Sequence, residues 1–163
     1  MNAKIDAKLR RREDRREGKA NMSEAWNFRG RTESKVDPEI EDLATEAIGA
    51  AIEVHRILGP GFSESVYRKA MSVELTLRGI AHVCESPVPL LYKDEPVGFG
   101  SVDILVDGKL ILELKVVEQL AEIHRKQASS YLLALNLPLA LLMNFNVTVI
   151  RDGIRRVIES DQS

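Results

Sequence analysis

The chain has little of what several classes of protein require. Its 163 residues include one cysteine, Cys84, and three histidines. A single cysteine cannot form an internal disulfide, and three scattered histidines cannot supply the closely spaced ligands of a structural zinc site. A reducing compartment is therefore expected, and we predict a cytoplasmic protein.

Long apolar runs are also missing from the sequence. The longest, from Leu137 to Met143, is far shorter than the roughly 20 residues that a helix needs to cross a bilayer. The first residues are charged, unlike those of a secretion signal. We therefore expect no membrane association, and an apolar fraction of 44% is enough for one ordinary hydrophobic core.

The chain lacks an overall excess of positive charge, since 23 Lys and Arg stand against 25 Asp and Glu. The distribution is uneven. Residues 1–36 hold eleven basic and six acidic residues, and the rest of the chain holds twelve and nineteen. Charge runs with few large apolar residues predict a disordered basic tail over 1–36, followed by a domain over 37–163. The tail is either solvated or an arm that contacts nucleic acid.

Two helices are predicted to open this domain. Asp37 and Pro38 supply an N-cap and a proline at the first helical position, and Gly59 ends the apolar periodicity that follows. Ser63 can cap a second helix, which should end at Gly79.

Strand patterns follow these helices. We predict strands over 87–92, 102–106 and 109–117, then a helix over 120–135, a buried strand over 138–145 and a terminal hairpin of 147–150 with 154–158. This order predicts an α/β fold with a central mixed β-sheet flanked by helices.

Two charged residues interrupt the predicted strand 109–117. Glu113 and Lys115 share a face with the apolar Ile111 and Val117, so the strand is expected to be buried on both sides. Burial of either charge costs several kcal/mol unless the group is paired, hydrated or bound to a metal. Taken alone, such a pair is more often part of a solvated strand face.

Asp103 lies on the preceding strand of the same hairpin. A two-residue loop at Asp107-Gly108 would place Asp103 and Glu113 on opposite faces of the sheet, whereas an odd or bulged loop would place them on one face. We predict the odd loop. The two carboxylates could then hold Mg²⁺ or Mn²⁺ for phosphodiester hydrolysis, with Lys115 positioning or helping to deprotonate the attacking water, or offsetting negative charge.

Asp103, followed after nine residues by Glu113-Leu114-Lys115, resembles the D…(D/E)xK core of the PD-(D/E)XK nuclease superfamily. The segment from Gly61 to Tyr67 is similar to the signature of its GxxExxY family, and the similarity extends from about residue 40 to 158. The residue before Asp103 is Val102, where the superfamily motif has proline. The resemblance implies a restriction-endonuclease-like core and a metal-dependent nuclease.

The resemblance also implies roles for individual residues. The metal ligands would be Glu64, Asp103, Glu113 and the carbonyl group of Leu114. Gln127 and Tyr131 would line the side of the centre that faces nucleic acid. Helical spacing adds Tyr67 and His124 as candidate substrate contacts, with His124 either structural or a phosphate contact. On the predicted helix His124, Gln127 and Tyr131 fall on one face.

The leading hypothesis is therefore a Mg²⁺- or Mn²⁺-dependent nuclease acting on DNA or RNA. One alternative is a non-catalytic adaptor that keeps the fold and binds nucleic acid or protein. Another is a homo-oligomeric interaction protein whose charged residues neutralise one another. Six basic residues are candidates for a phosphate-binding patch: Arg68, Arg125, Lys126, Arg151, Arg155 and Arg156.

Overall fold

The protein has the predicted α/β fold, a five-stranded mixed sheet with helices on both faces. The computed structural model describes residues 36–159. The predicted tail over 1–36 lies outside these residues except for Val36, whose side chain is buried. No helix between residues 36 and 159 has the length and apolar character that crossing a bilayer requires.

Two helices come first, as predicted. Helix α1 spans Pro38–Leu58, and the Asp37 carboxylate accepts the Glu39 amide N–H at 2.8 Å to cap it. Gly59 ends α1 with a positive φ of 65°, a conformation that glycine adopts without steric cost. Helix α2 spans Glu64–Leu77 with Ser63 at the N-cap position.

The remaining elements build the sheet. They are β1 (His82–Tyr92), β2 (Glu95–Val106), β3 (Leu110–Lys115), helix α3 (Glu122–Leu135), β4 (Leu139–Asn144) and β5 (Ile154–Ile158). The strands lie in the order β1-β2-β3-β4-β5. Only β3 and β4 are parallel, and α3 makes the crossover between them.

Three of the predicted strands differ clearly from the structure. Strands β1 and β2 are longer than predicted and turn at Lys93-Asp94, where both residues have positive φ. Pro96, Gly98 and Gly100 weaken the strand signal of β2. The prediction of a strand over 147–150 was wrong. The Val147 carbonyl group is hydrogen-bonded to the His55 ring, and a 3₁₀ turn follows at Ile150–Gly153. Strand β5 comes after this turn and pairs with β4.

The core has two parts, one on each face of the sheet. Helices α1 and α2 cover the first cluster, which includes Leu112 and Leu114 of β3. Helix α3 covers the second cluster, which includes Ile111. Strand β3 is therefore buried on both faces, and any polar group on it must find a partner inside the protein.

Strand β1 forms one edge of the sheet. It carries two prolines, Pro87 and Pro89, which lie opposite Ser101 and Phe99 of β2. Proline within a sheet is tolerated at such an edge, where its missing N–H breaks no ladder hydrogen bond.

Candidate active site

The loop between β2 and β3 decides which side chains share a face. Val106 pairs with Leu110, so three residues form the loop, and Asp107 and Gly108 in it both have positive φ. The prediction of an odd loop is confirmed. The register that pairs Ile104 with Leu112 brings the next residue of each strand, Asp103 and Glu113, opposite one another.

Strand β2 leaves β3 at this point. The paired residues between the two strands end at Ile104 and Leu112. Beyond them, the Asp103 carboxylate accepts the Leu114 amide N–H at 2.8 Å (Oδ2). An acidic side chain thus takes the place of a backbone acceptor where the strands diverge.

The β1–β2 ribbon also changes the side that it presents here. Val102 belongs to the second core cluster and Ile104 to the first, although residues two apart on a regular strand point the same way. Across the ribbon from Asp103, Glu85 has a left-handed φ of 51°. Both irregularities lie next to Asp103 in the ribbon.

Glu113 is the most perturbed acid at this site. Its side chain is 4% exposed, and its Oε1 atom is buried with no hydrogen-bond partner. Burial, and then the nearby negative charge of Asp103, raise the pKa of Glu113 to about 7. A buried carboxylate oxygen without a partner is costly, and a cation would remove that cost.

Lys115 is the positive group nearest to Glu113. Its ammonium Nζ lies 3.8 Å from Glu113 Oε2 and donates to the Gln127 side-chain oxygen at 3.2 Å. Gln127 belongs to α3, so this helix fixes the direction of the lysine side chain. The structure therefore brings Lys115 and Gln127 together.

Glu64 begins α2 on the other side of the site. Burial and the negative charge of Asp103 raise the pKa of Glu64, while Lys115, Arg68 and His124 act in the opposite direction. These mutual effects show that α2, the β2–β3 junction and α3 all contribute charge to one region.

Arg68 lies one helical turn beyond Glu64. Its guanidinium donates to Asp103 Oδ1 at 3.2 Å and to Glu85 Oε1 at 3.0 Å. The contact with Asp103 was missed by sequence reasoning, which grouped Arg68 with basic residues for a surface patch. The i,i+4 spacing of Glu64 and Arg68 on one helix face is the signal that could have indicated it.

Three other basic residues of that predicted patch make contacts within the domain. Arg125 pairs with Glu122 on α3, Arg156 pairs with Glu41 of α1, and Arg155 donates to backbone carbonyl groups. The positive charge of Arg125 and Arg156 is therefore compensated within the domain.

Two further residues that were predicted to contact substrate, His124 and Tyr131, lie on α3. His124 accepts the Ala121 amide N–H through Nδ1 at 3.0 Å, so the neutral ring carries its proton on Nε2. Tyr131 packs against Gly100 of β2, where a Cβ atom would lie 2.6 Å from the tyrosine ring. Gly100 is therefore required for this close approach.

Tyr67 is not brought to this surface. Its side chain is fully buried, its ring stacks on Phe145, and its hydroxyl donates to the Gly59 carbonyl group at 2.5 Å. The same hydroxyl accepts the Phe62 amide N–H. The tyrosine thus holds the loop between α1 and α2 from inside the core and has no surface left for a substrate.

Asn144 holds the chain just after the site. Its buried amide accepts the Val117 N–H at 3.1 Å and donates to the Val117 carbonyl group at 2.8 Å. The Phe145 amide N–H donates to the Lys115 carbonyl group at 2.9 Å. Sequence reasoning gave Asn144 no role, and a polar residue ending a run of buried apolar ones is the signal that could have found it.

The residues present fit a divalent cation by their chemistry. Glu113 supplies an unpartnered buried oxygen, and Asp103 and Glu64 supply carboxylates near it. Within residues 36–159, however, no three His, Cys, Asp or Glu side chains are grouped closely enough to hold a metal together. Asp103 points one oxygen to Arg68 and the other to Leu114.

Comparison with known proteins identifies a superfamily. The sequence model of the PD-(D/E)XK nuclease superfamily matches residues 41–157. No curated protein matches the chain. No solved structure matches it either. The match covers most of the chain and every residue discussed at the site, and the chain therefore belongs to the PD-(D/E)XK nuclease superfamily.

Proposed function

We propose that this member of the PD-(D/E)XK nuclease superfamily is a Mg²⁺- or Mn²⁺-dependent nuclease that hydrolyses phosphodiester bonds in DNA or RNA. The observation that carries the proposal is the buried Glu113 carboxylate, which has an unpartnered oxygen and lies between Asp103 and Lys115. Membership of the GxxExxY branch, on the Gly61–Tyr67 motif, is part of the proposal.

The metal would be held by carboxylates of Asp103, Glu113 and Glu64, with the Leu114 carbonyl group as a further ligand. Bound there, a hard divalent cation supplies positive charge to the phosphate and lowers the pKa of a bound water. Raised pKa values at Glu113 and Glu64 support this assignment, because a cation relieves both the burial and the mutual repulsion of the carboxylates.

The protein's own groups have separate tasks. The Lys115 ammonium, held by Gln127, offsets negative charge that develops on the phosphoryl oxygens. His124, Gln127 and Tyr131 of α3 would contact the substrate, with the His124 Nε2–H as a hydrogen-bond donor. Hydrolysis adds water across one P–O bond and leaves a phosphate monoester and a hydroxyl group.

Cleavage of single-stranded DNA, duplex DNA and RNA should be assayed with Mg²⁺ and with Mn²⁺. Removal of charge at the centre, in Glu113→Gln or Lys115→Ala, should lower kcat by about a thousandfold or more. Glu118→Gln is the matched control, because Glu118 is an exposed acid five residues after Glu113. This variant should cleave at the wild-type rate.

The adaptor hypothesis has one observation in its favour. Arg68 neutralises Asp103 in the structure, as it would in a purely structural ion pair. If the protein is an adaptor, the wild type, Glu113→Gln and Lys115→Ala should all lack cleavage activity. Calorimetry should then detect no Mn²⁺ binding to the wild type. That combination of results would replace the nuclease proposal with the adaptor.

A further inference from the structure

Arg68 occupies the position at Asp103 that a metal ion would need. The guanidinium lies between two carboxylates of different burial, since the Asp103 side chain is 12% exposed and the Glu85 side chain is 68% exposed. Arg68 itself is 19% exposed. It therefore has one acceptor inside the site and one at the surface.

The geometry points to a dual role for Arg68, which rests on the proposed nuclease function. We propose that Arg68 is the counter-ion of Asp103 before metal binds and becomes a binding residue for the substrate phosphate once a divalent cation takes Asp103. Glu85 keeps the guanidinium at the rim of the site during this exchange.

Competition for Asp103 follows from its contacts. One oxygen accepts from the Leu114 amide and the other from Arg68, so a cation that binds Asp103 meets a guanidinium about one contact distance away. Two positive groups at that separation repel strongly in a partly buried site. The guanidinium, on the long side chain of an α2 residue, is the group that can move.

The chemistry of the guanidinium indicates what it binds next. Arginine presents several N–H donors in a planar fork that matches two oxygens of a phosphate. Arg68 already directs two nitrogens at separate carboxylates. Substrate phosphate would replace the lost Asp103 contact beside the same metal centre.

The arrangement of acids agrees with this exchange. Glu64, Asp103 and Glu113 influence one another electrostatically, yet within the described part of the chain no three metal-ligating side chains are assembled. The Arg68 contact holds Asp103 in its present direction. Loss of that contact would free Asp103 Oδ1 for a cation, while Oδ2 stays bonded to the Leu114 amide.

The proposal predicts effects of opposite sign in one variant. Arg68→Gln removes the competing charge, so Mn²⁺ should bind about tenfold more tightly, measured by calorimetry on the full-length protein. The same variant at saturating Mn²⁺ should show a KM raised about tenfold or more on whichever substrate the wild type cleaves best. A purely structural role for Arg68 would not predict tighter metal binding together with a raised KM.

Two variants and one control complete the test. Glu85→Gln removes the negative charge of the surface partner, so Arg68 should hold Asp103 more strongly and Mn²⁺ should bind more weakly than in the wild type. Arg68→Lys keeps the charge without the fork, so its Mn²⁺ affinity should stay near the wild-type value while KM remains raised. Arg56→Gln is the control, because Arg56 is an exposed arginine paired with a helical glutamate on α1.

The results separate this inference from the nuclease function. Wild-type protein that binds Mn²⁺ and cleaves, with Arg68→Gln showing equal or weaker Mn²⁺ affinity, would overturn the role of Arg68 and leave the nuclease proposal intact. Absence of Mn²⁺ binding and cleavage in both proteins would overturn both. Tighter Mn²⁺ binding with raised KM in Arg68→Gln, and unchanged values in Arg56→Gln, would support the exchange.

Discussion

The two halves of β3 differ in how their backbone and side chains are satisfied. Leu110 to Leu112 pair with β2, and residues from Ile111 onward pair with β4. From Glu113 the pairing with β2 has ended, and the Asp103 carboxylate replaces it at Leu114. The first half is a continuous apolar core, and the second carries the charges on which the proposed chemistry depends.

This difference shows how one strand serves two purposes. Backbone pairing with two strands at Ile111 and Leu112 fixes the first half, so that the second half can carry unsatisfied groups without unfolding. A buried carboxylate with a free oxygen lowers stability. It is tolerated where the neighbouring pairing is strong, and sites of function commonly carry such local costs.

The largest expected effect on stability lies in the paired half. Leu112→Ala removes a fully buried side chain from the first core cluster and should lower the free energy of unfolding by about 2–5 kcal/mol. Urea denaturation measures it. Leu133→Ala, at an exposed position on α3, is the control and should change stability little. An equal loss in both variants would mean that burial in β3 is not what stabilises the strand.

Removing the charge of Glu113 should raise the free energy of unfolding of the metal-free protein, the opposite of the effect of Leu112→Ala. Burial and Asp103 raise its pKa from 4.5 to about 7, so between these values the folded state holds a proton that the unfolded state releases. Stability should therefore fall as pH rises from about 4.5 to about 7 and then level off. Glu113→Gln should be more stable than wild type at pH 8, by up to about 3 kcal/mol.

Thermal and urea unfolding in EDTA at pH 4 and pH 8 would measure this effect. The advantage of Glu113→Gln should disappear at pH 4, where both states of the wild type are protonated at this residue. Glu118→Gln is the control and should show no stability advantage at either pH. A Glu113→Gln protein that is destabilised at pH 8 would mean that the ion pair with Lys115 outweighs the cost of burial.

The smallest expected effect concerns the strand that leaves β3. Gly100→Ala places a methyl group against the Tyr131 ring, and a half-buried ring can shift partly aside. The cost should be about 1–3 kcal/mol. In a Tyr131→Leu background the same change should cost less, and a double-mutant cycle measures the difference. Additive losses would exclude this contact as the cause.

Local sequence signals predicted helix α1, the hairpin between β2 and β3, and the charged residues of β3. The N-cap at Asp37 and the glycine at Gly59 defined α1, and the turn chemistry of Asp107-Gly108 indicated the hairpin between β2 and β3. Alternating apolar and charged residues on β3 identified Glu113 and Lys115. These features depend on neighbours within a few positions, which is why they can be predicted from one sequence.

Other features depend on contacts between distant residues. The Arg68–Asp103 pair joins positions 35 residues apart, and the burial of Tyr67 depends on Phe145 and on the loop at Gly59. Spacing on α2 places Tyr67 and Arg68 next to each other without indicating which one turns inward. The strand predicted over 147–150 failed for the same reason, since β5 takes the edge of β4.

The two prolines of β1 have a consequence for self-association. A β-strand from another molecule extends a sheet by exchanging N–H and C=O hydrogen bonds with the exposed edge. Pro87 and Pro89 have no N–H to donate to such an incoming strand. They lie two residues apart on β1, whose other side is paired with β2. Fibril-like stacking of copies through β1 is therefore interrupted in the middle of the strand, even though apolar side chains nearby, such as Phe99, are exposed.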